Sequence, residues 1–272
     1  MTLRLRTALA AVFLTTNAAM AACPDTNAGR VDVYPTSDVL PANLLRMYVY
    51  YPRPMKADEG LQHVRLKDQT GKVVDEVFLG NRADLWSPDR RRLTLLLDPG
   101  RVKTGLVANA VLGRTLVPGQ SYTLVVSGDA TDMSGCILGA DTRYDFVVGA
   151  EDMEPPDPAS WYVALPTANS MDTLSVDLGS SHDHLSLAYR LRVVDHEGAA
   201  VPGAIALGRD EAVWAFRPDV PWAGVPYRLP IDDRLEDLAG NRPGVLFDRP
   251  PDQDARPWAH SIQIIPKPPL RK

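Results

Sequence analysis

One pattern occurs twice in this chain, and the repeat constrains the fold more than any other feature. The first copy runs from residue 116 (Leu-Val-Pro-Gly-Gln-Ser-Tyr-Thr-Leu) to an Asp-x-x-Gly turn that ends at 135. The second copy, from 222 to 240, repeats the glycine, the tyrosine, a leucine, the aspartate and the final glycine at a constant offset of 105 residues. Such an offset predicts that the chain contains two copies of one folding unit.

Both units consist of short β-rich segments separated by turns. The 272 residues include 24 prolines and 19 glycines, and both residue types favour turns over long regular elements. Two segments around Asp-x-x-Gly, at 68–71 and 195–198, have the pattern of β-hairpins. With no long amphipathic helix evident, we predict an all-β fold of two tandem sandwiches. The predicted strands are 30–35, 44–51, 63–67, 73–79, 93–97, 122–126, 143–148, 174–178, 214–216 and 258–265.

The predicted boundaries follow from the repeat and from composition. Residues 151–160 are acidic, proline-rich and without periodicity, which is typical of a semi-rigid linker. The predicted division is a signal peptide at 1–21, domain 1 at 22–150, the linker at 151–160, domain 2 at 161–266 and a tail at 267–272.

The offsets also locate extra residues in the first unit. Matching positions differ by 127 around the hairpins, by 121 at the next strand and by 105 in the repeated ending. The first unit therefore carries 6 extra residues between 77 and 91 and 16 more between 97 and 118. We expect the second insertion, about 98–117, to form a ledge or short helix that exposes Arg101 and Lys103.

The repeated tyrosine and aspartate have structural interpretations. Tyr122 and Tyr227 fit the tyrosine corner of immunoglobulin-like sandwiches, in which the ring is buried and the hydroxyl bonds to nearby backbone. The alternative is that both are ordinary core aromatics. Asp132 and Asp237 are expected to cap their turns through side-chain hydrogen bonds.

Several motifs together resemble a known family. A strand followed by Pro-Met at 48–55, a Trp-x-Phe strand at 214–216, the Gly-x-x-Tyr-x-Leu strand and Asp-Leu-Ala-Gly-Asn at 237–241 are similar to those of bacterial immunoglobulin-like domains of the S-layer-protein type. The resemblance covers both units and implies two exported or cell-surface immunoglobulin-like modules without catalytic residues. The chain departs from the pattern at 179–182, where Pro-Met is expected, and at Cys136, where the second unit has Asn241.

The first 21 residues have the pattern of a secretory signal peptide. Arg4 and Arg6 form a basic start, residues 8–14 are apolar, and Ala-Met-Ala at 19–21 fits a cleavage site. The apolar run is too short to span a bilayer and no later run is long enough, so no transmembrane segment is predicted. Removal of Arg4 and Arg6 lowers the formal net charge from −5 to −7. An acidic exported chain is a poor candidate for nucleic-acid binding.

The two cysteines, Cys23 and Cys136, are expected to form a disulfide, because exported proteins occupy compartments in which disulfides persist. Such a bridge would close a long loop and stabilise the fold by roughly 2–4 kcal/mol. The alternative is a lipoprotein in which Cys23 carries lipid, although the preceding Met-Ala-Ala lacks the leucine usually found three residues before a lipidated cysteine.

Positive charge is concentrated beside the second insertion. Residues 90–114 contain one acid and six basic residues, which are Arg90, Arg91, Arg92, Arg101, Lys103 and Arg114. Such a cluster predicts a binding site for an anionic group on a carboxylate-bearing polymer, a lipid head-group or an acidic partner. The alternative is a solvated turn before a strand, particularly for the three consecutive arginines.

His182, Asp183 and His184 are candidates for binding a metal ion such as Zn²⁺. They lack the further donors that a structural zinc site needs, so polar loop residues are the favoured interpretation. No Gly-x-Ser-x-Gly elbow is present, and no cofactor or metal site is predicted.

Two functional hypotheses result. The favoured one is a non-catalytic exported protein, periplasmic or extracellular, that binds an envelope protein or an anionic polymer. The alternative is an envelope hydrolase or carbohydrate-active accessory protein with a site between the sandwiches that uses His182, Asp183 and His184. A concave junction rich in titratable groups would favour the enzyme, and a flat junction beside a basic loop would favour the binding protein.

Overall fold

The computed structural model describes residues 23, 30–80, 84–249 and 260–269. The predicted signal peptide at 1–21 lies outside these residues. The described part of the first unit contains two four-stranded sheets. Their strands, in chain order, are β1 (Asp32–Tyr34), β2 (Val39–Leu40), β3 (Arg46–Tyr50), β4 (Val64–Asp68), β5 (Leu85–Trp86), β6 (Arg92–Leu96), β7 (Ser121–Val126) and β8 (Thr142–Val148).

The two sheets of the first unit pack face to face. One has the order β1-β3-β6-β5 and is antiparallel, and the other has the order β2-β8-β7-β4, in which only β2 and β8 run parallel. Side chains alternate between the faces of a strand, so Leu93 and Leu95 of β6 point inward together with Leu124 of β7. Residues from both sheets form one hydrophobic cluster, which makes this unit a β-sandwich.

The second unit repeats this plan with shorter sheets. Its strands are β9 (Tyr162–Ala164), β10 (Leu174–Asp177), β11 (Gly203–Leu207), β12 (Val213–Pro218), β13 (Tyr227–Ile231) and β14 (His260–Ile264). One antiparallel sheet has the order β11-β12-β10-β9, and β13 pairs with β14. Both contribute to a second hydrophobic cluster around Trp214 and Trp222. The all-β prediction is confirmed; the first two residues of the predicted strand at 258–265 lie outside the described ranges.

Backbone pairing repeats at the offsets seen in the sequence. Met55 pairs with Asp132 in the first unit, and His182 pairs with Asp237 in the second, at offsets of 127 and 105. The two units therefore place equivalent residues at equivalent positions, and a residue of one unit can be compared directly with its counterpart.

Both repeated tyrosines form tyrosine corners, as the first interpretation predicts. The Tyr122 hydroxyl accepts a hydrogen bond from the Val117 amide at 3.3 Å. The Tyr227 hydroxyl accepts one from the Ala223 amide at 2.9 Å. In each case a ring buried in the core is joined to the backbone that enters its own strand.

The two Asp-x-x-Gly turns are capped as predicted. The Oδ1 atom of Asp132, like that of Asp237, accepts hydrogen bonds from the amides two and four residues further on. Gly135 and Gly240 close the turns at φ values of +85° and +80°, which glycine adopts without a steric penalty.

The insertion at 98–117 contains two short helices, α1 (Pro99–Val102) and α2 (Val107–Leu112). The expectation that it exposes Arg101 is wrong, because Arg101 is only 7% exposed. Its guanidinium donates to the carbonyls of Glu76, Gly113 and Arg114. Arg101 therefore joins the ends of the insertion to the rest of the unit.

The prediction of a polar loop at 182–184 is wrong at His184, which begins helix α3 (His184–Arg190). Asp183 caps this helix by accepting a hydrogen bond from the Ser186 amide at 2.8 Å. A helix of seven residues is unstable alone and depends on tertiary packing, here of the fully buried Leu187. Such a helix leaves little periodicity in the sequence.

Parts of the predicted linker and tail are held by the sandwiches. Asp152 exchanges two hydrogen bonds with the side chain of Asn43, and its carbonyl also accepts from the Asn241 side chain. Lys267, at the start of the predicted tail, exchanges backbone hydrogen bonds with Ala168 and Pro166.

Cys23 and Cys136 form the predicted disulfide, with Cα atoms 5.5 Å apart and a sequence separation of 113. The lipoprotein alternative is contradicted, because a sulfur in a disulfide cannot also carry a lipid. Within the described ranges, no helix has the length and apolar character needed to cross a membrane.

Candidate binding groove between the two units

Strand β3 lies at the junction of the units and is buried on both faces. Met47 and Val49 point into the first core, whereas Tyr48 points toward the second unit and is 1% exposed. The Tyr48 hydroxyl donates to Asp183 Oδ2 at 2.6 Å. Burial, and then the nearby Asp183 carboxylate, raise the pKa of Tyr48, so this hydroxyl remains a neutral donor.

Further contacts surround this hydrogen bond. Arg46 pairs with Glu236 at 2.7 Å, and the Leu45 amide donates to the Leu238 carbonyl at 2.9 Å. Leu238 belongs to the second unit by sequence but packs into the hydrophobic cluster of the first. The junction thus combines apolar packing with a half-buried ion pair.

Glu211 forms a second set of contacts across the junction. It is almost fully buried, and its Oε2 accepts from the Thr36 amide at 2.7 Å. Its Oε1 lies 3.3 Å from His184 Nδ1. The His184 ring packs against the Tyr34 ring with centroids 3.8 Å apart and the ring planes tilted by 33°. Thr36 and Tyr34 of the first unit therefore contact the Glu211–His184 pair of the second unit.

A groove of about 910 Å³ opens beside these contacts. One wall is the outer face of β3 and β6, with Tyr50 and Arg92, and the turn that carries Arg91. The other wall is α3, with Tyr189 and Arg190. The volume lies within the roughly 300–1,000 Å³ that is usual for ligand sites.

Among the described residues, the guanidinium groups of Arg91 and Arg92 form no ion pair, although Asp89, which also lines the groove, accepts a hydrogen bond from the Arg91 amide at 3.2 Å. The other three groove arginines are paired, as Arg30–Asp32, Arg46–Glu236 and Arg190–Asp232. Arg92 Nε is buried without a hydrogen-bond partner in the part of the chain described. Its guanidinium lies beside the Tyr50 hydroxyl, and burial raises the pKa of Tyr50.

The six basic residues predicted from charge do not form one site. Arg91 and Arg92 line the groove, and Arg90 does not. Lys103 lies 4.2 Å from the centroid of the Phe247 ring. Arg114 pairs with Glu151 at 2.6 Å. Arg101 is buried, as described above.

The groove is concave and rich in titratable groups, which is the geometry that the sequence hypothesis assigned to an enzyme. Its candidate residues, however, serve structural contacts. Asp183 caps α3 and accepts from the buried Tyr48, His184 contacts Glu211, and the fully buried His182 contacts the Ser180 carbonyl. Ser186, which lines the groove, contacts Asp183 through its backbone amide, and its hydroxyl accepts a hydrogen bond from the Glu236 amide. Among the described residues, no three His, Cys, Asp or Glu side chains group as metal ligands would.

The turn below the junction differs between the units. Asp132 Oδ2 pairs with Arg53 at 2.7 Å, whereas Asp237 Oδ2 is buried with no hydrogen-bond partner in the described ranges. The position equivalent to Arg53 is Ser180. Burial, and then the Asp152 carboxylate, raise the pKa of Asp237 to about 7. Burial lowers the pKa of the adjacent His182 to about 4.

The groove tyrosines Tyr50 and Tyr189 were not predicted from the sequence. For β3 a signal exists, because Arg46, Tyr48 and Tyr50 alternate with core residues and must share one outer face. Three large polar or amphipathic side chains on the face opposite the core indicate that something covers or binds that face. For Tyr189 no comparable signal exists, since α3 itself was not predicted.

Comparisons with known proteins add little to this description. No protein-family model and no curated protein matches the chain. Among solved structures, a chain in a crystal structure of the mouse coronavirus receptor-binding domain complexed with its murine receptor is 12% identical, with 75% of this chain and 91% of that chain covered and a TM-score of 0.18. A crystal structure of murine CEACAM1b is 11% identical, with 74% and 90% covered and a TM-score of 0.19. Likenesses at these TM-scores support no inference about fold or function.

Proposed function

We propose that this protein is an exported, non-catalytic binding module that holds an anionic ligand in the groove between its two sandwich units. The observation that carries the proposal is the pair Arg91 and Arg92 on the groove wall, whose guanidinium groups form no ion pair among the described residues, with Arg92 Nε buried and without a hydrogen-bond partner there. Guanidinium groups bind carboxylates and phosphates through paired, charge-assisted hydrogen bonds. Two arginines without ion pairs in a concave site can therefore bind an anion from solution, in competition with the neighbouring Asp89 carboxylate at Arg91.

Two further features support the remaining parts of the proposal. The Cys23–Cys136 disulfide suits an oxidising compartment, and so agrees with the signal-peptide pattern. The tyrosine corner in each unit agrees with two immunoglobulin-like modules of the bacterial S-layer-protein type. The envelope partner is an acidic polymer or an acidic protein surface.

The test is anion binding by the isolated protein at fixed ionic strength. Fluorescein-labelled polyglutamate, polygalacturonate and inorganic polyphosphate are titrated with protein and followed by fluorescence anisotropy, with neutral dextran as the negative control. We expect at least one polyanion to bind. The double variant Arg91→Glu/Arg92→Glu should lose at least about tenfold in affinity, since about 1.4 kcal/mol corresponds to a factor of ten.

The matched control is Arg143→Glu, a charge reversal at an exposed arginine of β8 in the opposite sheet. It makes the net charge more negative without touching the groove. Thermal unfolding of each variant shows whether the fold is intact, and Arg91→Glu alone changes an exposed residue if the double variant unfolds. Absence of binding to every polyanion, or equal weakening by the control, would contradict the proposal.

A further inference from the structure

We infer that the anionic ligand of the groove is an acidic saccharide chain, which places its carboxylates on Arg91 and Arg92 and its sugar rings against Tyr50 and Tyr189. This inference rests on the proposed function and names the ligand class of the same site. It is carried by the placement of Tyr50 beside Arg92 on one wall of the groove and of Tyr189 on the opposite wall.

The aromatic residues lie where a ligand held by the arginines would contact them. Tyr50 is next to Arg92 on the sheet wall, with its hydroxyl beside that guanidinium. Tyr189 is on the helix wall and is 61% exposed, so its ring is accessible to a ligand in the groove. Tyrosine presents an apolar ring face and a polar hydroxyl, which match the apolar face and the hydroxyl groups of a pyranose ring.

The backbone around the groove argues against an acidic peptide. Peptides gain most from sheets when they add to an open strand edge and use its unpaired amides and carbonyls. Here the walls are a sheet face and a helix, whose backbone groups pair within their own elements. At the rim, the Ser87 amide donates to the Arg92 carbonyl, and the Arg90 amide donates to the Ser87 carbonyl. Of the edge strand β1, Asp32 lines the groove, and the rest of the described lining offers guanidinium groups, carboxylates, hydroxyls and rings.

The width of the site also suits a ligand that contacts both units. Arg91 and Arg92 belong to the first unit, and Tyr189 belongs to α3 of the second. A single small anion bound to the arginines would leave Tyr189 unused. A chain of several acidic sugars can place a carboxylate on one wall and a ring on the other.

The experiment compares two carboxylate polymers that differ in the backbone bearing the charge. Polygalacturonate and polyglutamate of matched charge number are titrated against the parent protein and against Tyr189→Ala. We expect tighter binding of polygalacturonate, and a loss of about tenfold for that polymer alone in the variant, or about 1.4 kcal/mol. Polyglutamate affinity should be unchanged by Tyr189→Ala.

Tyr162→Ala is the matched control, because Tyr162 is 72% exposed and does not line the groove. It should leave both affinities unchanged. If both polymers bind equally and Tyr189→Ala changes neither, the saccharide inference is overturned while the anion-binding function stands. Tighter binding of polyglutamate identifies an acidic peptide as the ligand and likewise overturns it. If neither polymer nor polyphosphate binds, the inference and the proposed function fail together.

Discussion

The outer face of the sheet that contains β3 and β6 differs from the equivalent face in the second unit, although the strands correspond. The inner faces are apolar in both units, as the two cores require. On the outer face, the first unit has large polar or aromatic residues where the second has smaller or differently charged ones, in the pairs Arg46/Thr173, Tyr48/Ser175, Tyr50/Asp177 and Arg92/Val213. A sandwich of this type therefore forms without arginine and tyrosine on its outer face. The presence of these residues in the first unit is explained by the groove and by the contacts with the second unit.

The two units also differ in the bond that fixes their first residues. Removing these bonds gives the largest expected change in the free energy of unfolding. Cys136 follows the turn of the first unit and bonds to Cys23, whereas its counterpart Asn241 donates a hydrogen bond to the Asp152 carbonyl. Cys23→Ser/Cys136→Ser should lower the free energy of unfolding by about 3 kcal/mol. Asn241→Ala should lower it by about 2 kcal/mol, because the buried side chain also accepts a hydrogen bond from the Phe247 amide. Urea unfolding measures both, and equal losses would show that the two connections are energetically alike.

The arginine at the first turn has no counterpart at the second. Arg53→Ala leaves the Asp132 carboxylate, which is 3% exposed, without its ion-pair partner. Removing one partner of a buried pair is costly, so we expect a loss of about 2–3 kcal/mol at pH 7. Ser180→Ala, at the equivalent exposed position, is the control and should change stability little. A comparable loss in both variants would contradict the contrast.

Substitution of the two equivalent aspartates by asparagine should change the free energy of unfolding in opposite directions. The pKa of Asp237 is raised to about 7 in the folded protein, against about 4 when unfolded. Its protonated form therefore favours folding below pH 4, and this contribution is lost as the pH rises through 7. Asp237→Asn keeps the turn-capping oxygen and cannot ionise. At pH 8 its free energy of unfolding should therefore be about 2 kcal/mol higher than that of the parent protein. Asp132→Asn should lose stability at the same pH because it removes the ion pair with Arg53.

Stability curves at pH 4 and pH 8 check this prediction. At pH 4, Asp237→Asn should differ little from the parent protein, since both then carry a neutral group. A gain that is equal at both pH values would contradict the assignment to ionisation of Asp237.

His182 should make the stability of the protein depend on pH in the opposite sense, with a loss of stability at acidic pH. Its pKa is lowered to about 4 by burial, so the neutral ring favours folding above about pH 6.5, and this contribution is lost as the pH falls through 4. Met55 is the counterpart in the first unit and cannot titrate. The parent protein should lose stability between pH 7.5 and pH 4.5, and His182→Met should reduce this loss by about 1 kcal/mol. That energy corresponds to a pKa shift of roughly one unit. Thermal midpoints at the two pH values measure it, and an unchanged acid loss would contradict it.

The tyrosine corners should give the smallest effect. Tyr122→Phe and Tyr227→Phe each remove one hydroxyl that accepts a hydrogen bond from a backbone amide. Each should cost about 1 kcal/mol in the free energy of unfolding. Tyr162→Phe, which removes an exposed hydroxyl, is the control. Corner variants no less stable than this control would show that the corners are ordinary core aromatics.

Features within one unit were predictable from the sequence, and features between units were not. The constant offsets predicted the equivalent turns and corners, because a repeat preserves local backbone geometry. The groove depends on contacts such as Tyr48 with Asp183, which join non-equivalent residues of different units and leave no periodic pattern. Arg101 was placed wrongly because its guanidinium is satisfied by backbone carbonyls, and no sequence pattern reports such acceptors.

The central claim is that the outer face of the first unit and α3 together bind an anionic chain. Hydrogen exchange with and without saturating polygalacturonate tests it most directly, because each equivalent segment of the second unit serves as an internal control. We expect slower exchange in peptides that cover 46–50, 87–96 and 184–190, and no change at 173–177 or in the insertion at 98–117. Protection confined to the insertion, or equal protection of the equivalent faces of both units, would contradict the claim.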